Sequence, residues 1–384
     1  MHLRLLRPFA SLSLAGFALS AVVSAQPAGA TRNAPDRDRL VSDREPAVLS
    51  RLTDDWRVGV NVPGLSAAVV QGDQVVWAQG FGVADVEHGT MVRPETVFRL
   101  ASISKPITAV AVMQLVERGL VSLDDPIQRF VPSFPRKPQG EVRIRHLLTH
   151  TSGIRHYRGQ EFALAESFPT IDRAISVFRN DPLEFAPGER YLYSTYGYNL
   201  LQGVIEAVSG RSFDEYLRSA IFGPAGMTST WLERPQEIVR HRARPYVRGA
   251  TPSSWLNAPF VDLSVKWAGG GLIATAADIA RFDIALNQGK LLRADTLERM
   301  YTSARLNNGN LTGYGLGWMV SQQGTRQFVA HSGGAMGGTT YLLREPRART
   351  ATVILANLDN VPRLRELAEQ LMALAPRPLP VSTR

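Results

Sequence analysis

The segment that decides the fold, residues 102–117, reads SISKPITAVAVMQLVE. It opens with Ser102 and Lys105, three positions apart, and continues with apolar residues at helical intervals over 107–117. Three residues of separation on a helix place two side chains on the same face, about one turn apart. The pattern therefore predicts a helix whose first turn brings an ammonium group within reach of a hydroxyl group.

This pairing of hydroxyl and amine has a chemical meaning. A serine hydroxyl becomes a nucleophile when a base removes its proton, and a lysine serves as that base if desolvation or neighbouring charge lowers its pKa. A helix N-terminus also offers unpaired N–H groups to a developing oxyanion. The alternative for Ser102 and Lys105 is a helix cap followed by a surface lysine. These residues alone do not separate the two interpretations.

A second candidate element is Tyr193-Ser194-Thr195, which lies between a Pro-Gly turn at 186–189 and a helical pattern at 198–208. A phenol in a cleft can carry protons if a nearby cation lowers its pKa. The alternative is that Tyr193 packs into the core beside its neighbouring tyrosines. Tyr193 is therefore a candidate whose role depends on what surrounds it.

A third candidate element, His331-Ser332-Gly333-Gly334, follows an apolar run at 328–330 that predicts a strand. An imidazole at a strand end can donate a proton or recognise a carboxylate, and it titrates near pH 6.5 when unperturbed. Glycines at this place let a substrate approach the backbone. His331, Gly333 and Gly334 are therefore candidates for substrate binding.

The hydrophobic pattern divides the chain into strand-rich ends and a helical middle. Strands are predicted near the N-terminus at 65–70 and 75–79, joined by a turn at 71–74, and near the C-terminus at 314–320, 328–330, 339–344 and 352–357, before a helix at 361–374. Helices are predicted at 107–117, 171–179, 198–208, 214–221 and 276–286. We therefore expect an α/β (α+β) fold whose sheet is built from both chain ends, with an all-α insertion and a site in the cleft between them.

Composition excludes several classes of protein. The 384 residues are 44% hydrophobic and 20% charged, as in ordinary soluble globular proteins. The absence of cysteine excludes thiolate catalysis, disulfides, Cys-ligated zinc and iron–sulfur clusters. The net charge of +9 comes from scattered arginines without a basic block, so no nucleic-acid partner is expected.

The N-terminus has the pattern of an export signal. Arg4 and Arg7 precede an uncharged apolar run at 9–23, and small residues at 23–25 form a cleavage site, with a second possible site after Ala30. We expect a signal peptide at 1–25, a flexible leader at 26–45 and a short tail at 376–384. The expected location is periplasmic or secreted, with no stable membrane span after cleavage; a retained anchor is the alternative.

Together the three candidate elements resemble, in chain order, the Ser-x-x-Lys, Tyr-x-Asn and Lys/His-x-Gly motifs of the serine β-lactamase and penicillin-binding-protein superfamily. Further stretches resemble its class C-like branch, which includes esterases and DD-peptidases; they lie at 147–154, 224–227, 268–272 and 315–318. The resemblance runs from Pro63 to Asn357. It implies a β-lactamase/transpeptidase-like fold, an antiparallel sheet flanked by helices.

The resemblance also implies roles for individual residues. Ser102 would be the acylated nucleophile, Lys105 its base and Tyr193 the proton shuttle. The oxyanion hole would consist of the backbone N–H groups of Ser102 and Gly334, and the substrate would contact Thr195, His331, Gly333 and Gly334. No cofactor or metal is implied. The catalytic domain would span 46–375, with a discontinuous α/β part at about 46–105 and 310–375 and a helical part at about 106–309.

Two departures from the motifs bear on the substrate. Thr195 stands where the family has asparagine, and a hydroxyl cannot offer both an amide donor and a carbonyl acceptor. His331 stands where many β-lactamases have lysine. The Tyr-Ser-Thr sequence is similar instead to the branch of mitochondrial β-lactamase-like serine proteases.

We therefore expect an exported serine hydrolase that forms an acyl-enzyme on an amide or ester bond. Its substrate would be a small peptide, an ester or a cell-wall-derived compound. A β-lactamase and a catalytically silent module that binds peptidoglycan or β-lactams are the alternatives. The sequence leaves the oligomeric state open.

Overall fold

A computed structural model of the chain describes residues 37–251 and 253–375, with side chains from residue 46 onward. The signal peptide predicted at 1–25, the start of the leader and the tail at 376–384 lie outside these described residues. Within the described ranges, no helix combines the length and the apolar character that crossing a membrane requires.

Helices occupy most of the middle of the chain and also border the sheet at both ends. They are α1 (Arg37–Gly59), α2 (Ser104–Glu117), α3 (Ile144–Leu148), α4 (Ile171–Ile175), α5 (Thr195–Ser209), α6 (Phe213–Leu217), α7 (Gly223–Ala225), α8 (Trp267–Gly270), α9 (Ala276–Asn287), α10 (Ala294–Met300) and α11 (Leu364–Ala373).

The strands of the main sheet lie towards the two ends of the described chain, and four short strands lie in its middle, so the insertion expected to be all-α contains strands as well as helices. The strands are β1 (Gly64–Gln71), β2 (Gln74–Asp85), β3 (Thr90–Met91), β4 (Phe98–Arg99), β5 (Thr230–Leu232), β6 (Tyr246–Arg248), β7 (Trp255–Asn257), β8 (Leu272–Ala274), β9 (Met319–Gln323), β10 (Arg326–Ala335), β11 (Gly338–Glu345) and β12 (Thr350–Ala356).

The main sheet has seven strands in the order β3-β2-β1-β12-β11-β10-β9, and its neighbours pair antiparallel. The two chain ends meet at the β1–β12 ladder, which runs from Leu65 opposite Ala356 to Gln71 opposite Thr350. The hairpin predicted at 71–74 joins β1 to β2. The expected antiparallel sheet built from both chain ends is therefore confirmed.

The sheet has an apolar core on each face. The larger core lies between the sheet and the helical middle and includes α2, α5 and α9. The smaller core packs the other face against α1 and α11. Helix α2 is central to the larger core, because every residue from Ser104 to Met113 is buried. The segment that decides the fold is thus held rigidly where the sheet meets the helical insertion.

Two sequence-based expectations are wrong in detail. The leader predicted at 26–45 overlaps α1, which begins at Arg37, because the arginines and Leu40 of this stretch are good helix formers. The strand predicted at 314–320 begins only at Met319. Gly317 has φ of +88°, and a Cβ there would lie 2.4 Å from the Cβ of Ala109, so the glycines before Met319 form a turn pressed against α2.

Candidate active site

Ser102 lies in a short 3₁₀ turn, Ala101–Ile103, between β4 and α2. Ala101, which precedes it, has φ of +49°, a conformation that residues other than glycine rarely adopt and that is often found at functional sites. Ser104 faces the interior, where its hydroxyl donates to Ala101 O at 2.7 Å and accepts from Leu272 N at 3.2 Å. Ser102 is therefore the serine of this turn that faces the cavity.

Lys105 is fully buried, and its Nζ has three oxygen neighbours. These are Ser102 Oγ at 3.0 Å, Thr195 Oγ1 at 3.1 Å and Gly269 O at 2.6 Å. A neutral amine has two N–H donors and one lone pair. If Gly269 O and Thr195 Oγ1 accept the two N–H bonds, the lone pair is left for the proton of Ser102. The geometry therefore suits a neutral lysine that acts as a base.

The electrostatics of the site favour that neutral form. Burial lowers the pKa of Lys105 well below its usual value, and the positive charge of Lys266 lowers it further. No acidic partner raises the pKa of Lys105 among the described residues. An amine with this environment is deprotonated at a lower pH than an exposed lysine, as a general base requires.

Tyr193 and Thr195 are positioned by the start of α5. Ser194 caps the helix by accepting a hydrogen bond from Gly197 N at 3.4 Å, so Thr195 occupies the first helical position and Tyr193 lies just before it. The Tyr193 ring centre is 4.7 Å from Lys105 Nζ, and its phenol interacts with the Ser102 hydroxyl. Burial raises the pKa of Tyr193 well above its usual value, so the phenol keeps its proton near neutral pH.

Strand β10 brings glycines against the Ser102 turn. Gly333 points towards this turn, and a Cβ there would lie 2.7 Å from Leu100 O and 3.0 Å from the Cβ of Ala101. Gly334 is exposed and lines the cavity together with Ser102. The absence of a side chain at Gly333 is therefore what allows β10 to approach the turn that carries Ser102.

His331 is placed differently from the sequence-based expectation. Its Nδ1 donates to Ser332 O at 2.7 Å, so Nε2 accepts from the Tyr314 hydroxyl at 2.8 Å. Burial, followed by the charge of Lys105, lowers the pKa of His331 to about 3. The expectation of an imidazole that titrates near pH 6.5 and offers charge to a substrate carboxylate is wrong, because the ring is buried, neutral and bonded at both nitrogens.

The sequence reasoning assigned no place in the site to three residues that the structure puts there. His150 Nδ1 accepts from Ser194 N at 3.2 Å, and His156 Nδ1 accepts from Thr195 N at 3.3 Å. Both imidazoles thus hold the backbone that presents the tyrosine and the threonine. His150 lies in one of the stretches that resemble the family, whereas no sequence pattern marked His156. The third residue, Lys266, lines the cavity.

The candidate residues converge on one cavity of about 360 Å³. Its walls include Ser102, Tyr193, Thr195, His331 and Gly334. Lys105 and Gly333 lie immediately behind this wall, at the distances given above. The volume suits a small ligand or a short segment of a longer one.

Known proteins resemble this chain over most of its length. The family described as Beta-lactamase matches residues 50–377. The human mitochondrial serine beta-lactamase-like protein LACTB is 30% identical over 393 residues, covering 78% of this chain and 71% of its own length. Penicillin-binding protein 4* of Bacillus subtilis is 32% identical over 304 residues, with 75% of this chain and 67% of its own length covered.

A solved structure gives the same answer for the fold. The D-amino acid amidase of Ochrobactrum anthropi superposes with a TM-score of 0.71 at 25% identity, covering 81% of this chain and 91% of the amidase chain. The expected β-lactamase/transpeptidase-like fold is thereby confirmed. The chain belongs to the Beta-lactamase family, within the superfamily of serine β-lactamases and penicillin-binding proteins.

Proposed function

We propose that this protein is a hydrolase that forms an acyl-enzyme on an amide or ester bond through Ser102, Lys105 and Tyr193. The observation that carries the proposal is the surroundings of Lys105 Nζ. Nζ lies 3.0 Å from Ser102 Oγ, and when Gly269 O and Thr195 Oγ1 accept the two N–H bonds of the neutral amine, its lone pair is free to take the Ser102 proton. A buried base aligned with an accessible serine is the arrangement that nucleophilic catalysis needs.

Acylation follows from these contacts. Lys105 removes the proton of Ser102 while Oγ attacks the substrate carbonyl carbon, and the carbonyl oxygen becomes an oxyanion. The N–H groups of Ser102 and Gly334 bind that oxyanion, and donors of this kind contribute about 3 kcal/mol each to transition-state stabilisation. Tyr193 then gives its proton to the leaving nitrogen or oxygen, and Lys105 returns a proton to the phenol. The bond to the leaving group breaks and leaves the acyl group on Ser102.

Deacylation uses the same groups in reverse. A water molecule loses a proton to the base and attacks the acyl carbon, and Ser102 recovers its proton as the ester bond breaks. Burial raises the pKa of Tyr193, so the phenol holds its proton near neutral pH at the start of each half-reaction.

For the substrate we favour short peptides and esters over β-lactam antibiotics. Thr195 has one hydroxyl, which is engaged with Lys105, and His331 is neutral and bonded at both nitrogens. The site therefore lacks two groups that many β-lactamases have: the asparagine side-chain amide of the Tyr-x-Asn motif and the charged lysine of the Lys-x-Gly motif. The likeness to a D-amino acid amidase supports an amide substrate. We expect weak penicillin and cephalosporin turnover beside measurable hydrolysis of activated esters.

The location and domain limits are also part of the proposal. We place the catalytic domain at 46–375 and the protein outside the cytoplasm after cleavage near Ala25 or Ala30. The support is the charged start, the apolar run and the small-residue site. The mass of the intact protein from its native host tests this, and soluble protein that retains Met1 would contradict it.

The test of the chemistry is pre-steady-state hydrolysis of p-nitrophenyl esters. The wild type should release a stoichiometric burst of p-nitrophenol, because acyl-enzyme accumulates when deacylation is slower than acylation. Ser102→Ala and Lys105→Met should abolish the burst. Lys290→Met is the matched control, since it removes a lysine charge at an exposed position. A wild-type rate in Ser102→Ala would refute the nucleophile, and efficient cephalosporin turnover would refute the substrate class.

A further inference from the structure

A second lysine lines the cavity that contains Ser102. Lys266 ends a 3₁₀ turn, Leu263–Lys266, directly before α8, and it is 5% exposed. The sequence contains only four lysines, and two of them, Lys105 and Lys266, lie in this region. The proposed mechanism uses only Lys105.

The surroundings of Lys266 leave part of its ammonium group unused. Nζ donates to Phe162 O at 2.7 Å and lies 4.5 Å and 5.0 Å from the ring centres of Phe162 and Tyr157. Across the described part of the chain, no carboxylate pairs with it. An ammonium has three N–H donors, and the carbonyl takes one of them. The other two N–H donors of Lys266 are left for a ligand, since this side chain lines the cavity.

The carboxylate that attracts Lys266 electrostatically is already paired with an arginine. Glu233 accepts two hydrogen bonds from Arg99, at 2.8 Å and 2.9 Å. It attracts Lys266 only from a distance, while Arg99 repels it. A buried cation without a paired anion is costly, and an anionic ligand that enters the cavity would offset that cost.

We propose that Lys266 binds a carboxylate of the substrate, at a distance from the bond that Ser102 attacks. The preferred substrates are then peptides or esters that carry an anionic group on the part held in this cavity. This inference rests on the proposed function, because it assumes that the acyl group attached to Ser102 occupies the same cavity. The Lys266 ammonium group would then supply the positive charge that the neutral His331 does not.

The pH dependence of this preference follows from the charged neighbours of Lys266. Burial, and next the charge of Arg99, lower the pKa of Lys266 to about 7, while Glu233 opposes the shift. Lys105 and His156 also face this charge, and burial lowers the pKa of both groups. The cation is therefore present below about pH 7 and lost above it. Preference for anionic substrates should be strong at pH 6 and weak at pH 9.

The experiment compares matched esters with the full-length protein. The probes are the p-nitrophenyl monoesters of pimelic and suberic acid and the same compounds with the far carboxyl methylated. At pH 6 the wild-type KM should be lower for the free acids by about 10- to 100-fold, the range for a hydrogen bond to a charged group. Lys266→Met should remove this difference, while Lys266→Arg and the control Lys290→Met should keep it.

The outcomes separate this inference from the proposed function. A burst from Ser102 with equal KM values for acid and methyl ester in the wild type would overturn the role of Lys266 alone. Loss of the burst with both esters would overturn the proposed function. Because a change in the pKa of Lys105 affects both esters equally, the KM ratio does not respond to it. If Lys266→Met does not fold, the wild-type ratio at pH 6 and pH 9, together with Lys266→Arg, decides the question.

Discussion

The contact between β10 and the Ser102 turn gives a sharp prediction for Gly333→Ala. The new Cβ would lie 2.2 Å from Thr340 Oγ1, 2.7 Å from Leu100 O and 3.0 Å from the Cβ of Ala101. Thr340 is itself buried and donates to Leu100 O at 2.9 Å. The methyl group therefore meets backbone and a fixed hydroxyl, and neither can turn away.

The size of the effect follows from these distances. Ordinary contact begins at 3.4 Å, so the new methyl group needs roughly 0.7 Å more room from Leu100 O and roughly 1.2 Å more from Thr340 Oγ1, and β10 must shift to provide it. That movement carries the N–H of Gly334 away from the N–H of Ser102. Loss of one well-placed oxyanion donor lowers kcat by about 10²- to 10³-fold. Overpacking of this kind also destabilises a fold by about 1–3 kcal/mol.

The assay is ester hydrolysis together with thermal unfolding. We expect kcat to fall much more than KM rises, because the oxyanion donor acts mainly in the transition state. Gly334→Ala is the matched control for stability, since a Cβ at that position meets nothing within 4 Å and the N–H is retained. Gly333→Ala with wild-type kcat and melting temperature would refute the close approach of β10 to the Ser102 turn.

Three further predictions test other parts of the site and fold. Tyr193→Phe should keep the melting temperature while kcat falls by about 10²- to 10⁴-fold, because a proton donor is lost and the ring is kept; unchanged turnover would make Tyr193 a packing residue. The rise of kcat/KM with pH should begin well below the usual pKa of lysine, because Lys105 acts as the base. Lys266→Met should move that rise to higher pH, since removing a like charge raises the pKa of Lys105. An unmoved profile would contradict the electrostatic effect of Lys266 on Lys105. Asp283→Ala should lower the free energy of unfolding by about 3–5 kcal/mol, because it leaves the buried Arg344 guanidinium without its carboxylate. The control is Glu366→Ala, which breaks an exposed pair with Arg363 and should lower the free energy of unfolding by less than about 1 kcal/mol. Denaturant titrations measure both values.

Most of the fold could be predicted from the sequence because helix spacing and apolar runs are local patterns. The spacing of Ser102 and Lys105 was enough to place both on one turn, and the apolar runs near each chain end predicted strands that pair in one sheet. The error at 314–320 came from glycines whose role depends on α2. Packing of Gly317 against Ala109 joins positions far apart in the chain, and a local pattern does not contain that information.

The protonation states of the site residues were harder to predict from the sequence than the identity of those residues. His331 was expected to titrate near pH 6.5, but its environment depends on Tyr314 and on burial, which the chain order does not reveal. Lys266 carried no motif, and it enters the cavity because the turn before α8 folds against Phe162. Charges and pKa values follow from three-dimensional neighbours, so the sequence predicted which residues meet at the cavity better than it predicted their protonation.

The most direct test of the central claim is the site of covalent modification by a fluorophosphonate. Peptide mapping should find the adduct on Ser102, because its hydroxyl faces the cavity and Lys105 Nζ lies 3.0 Å away. Ser104 should stay unmodified, since its hydroxyl is buried and bonded to Ala101 O and Leu272 N. Ser102→Ala should lose the label while Ser332→Ala still carries it on Ser102. An adduct on Ser104, Ser152 or Ser332 in the wild type, or undiminished labelling of Ser102→Ala, would contradict the account.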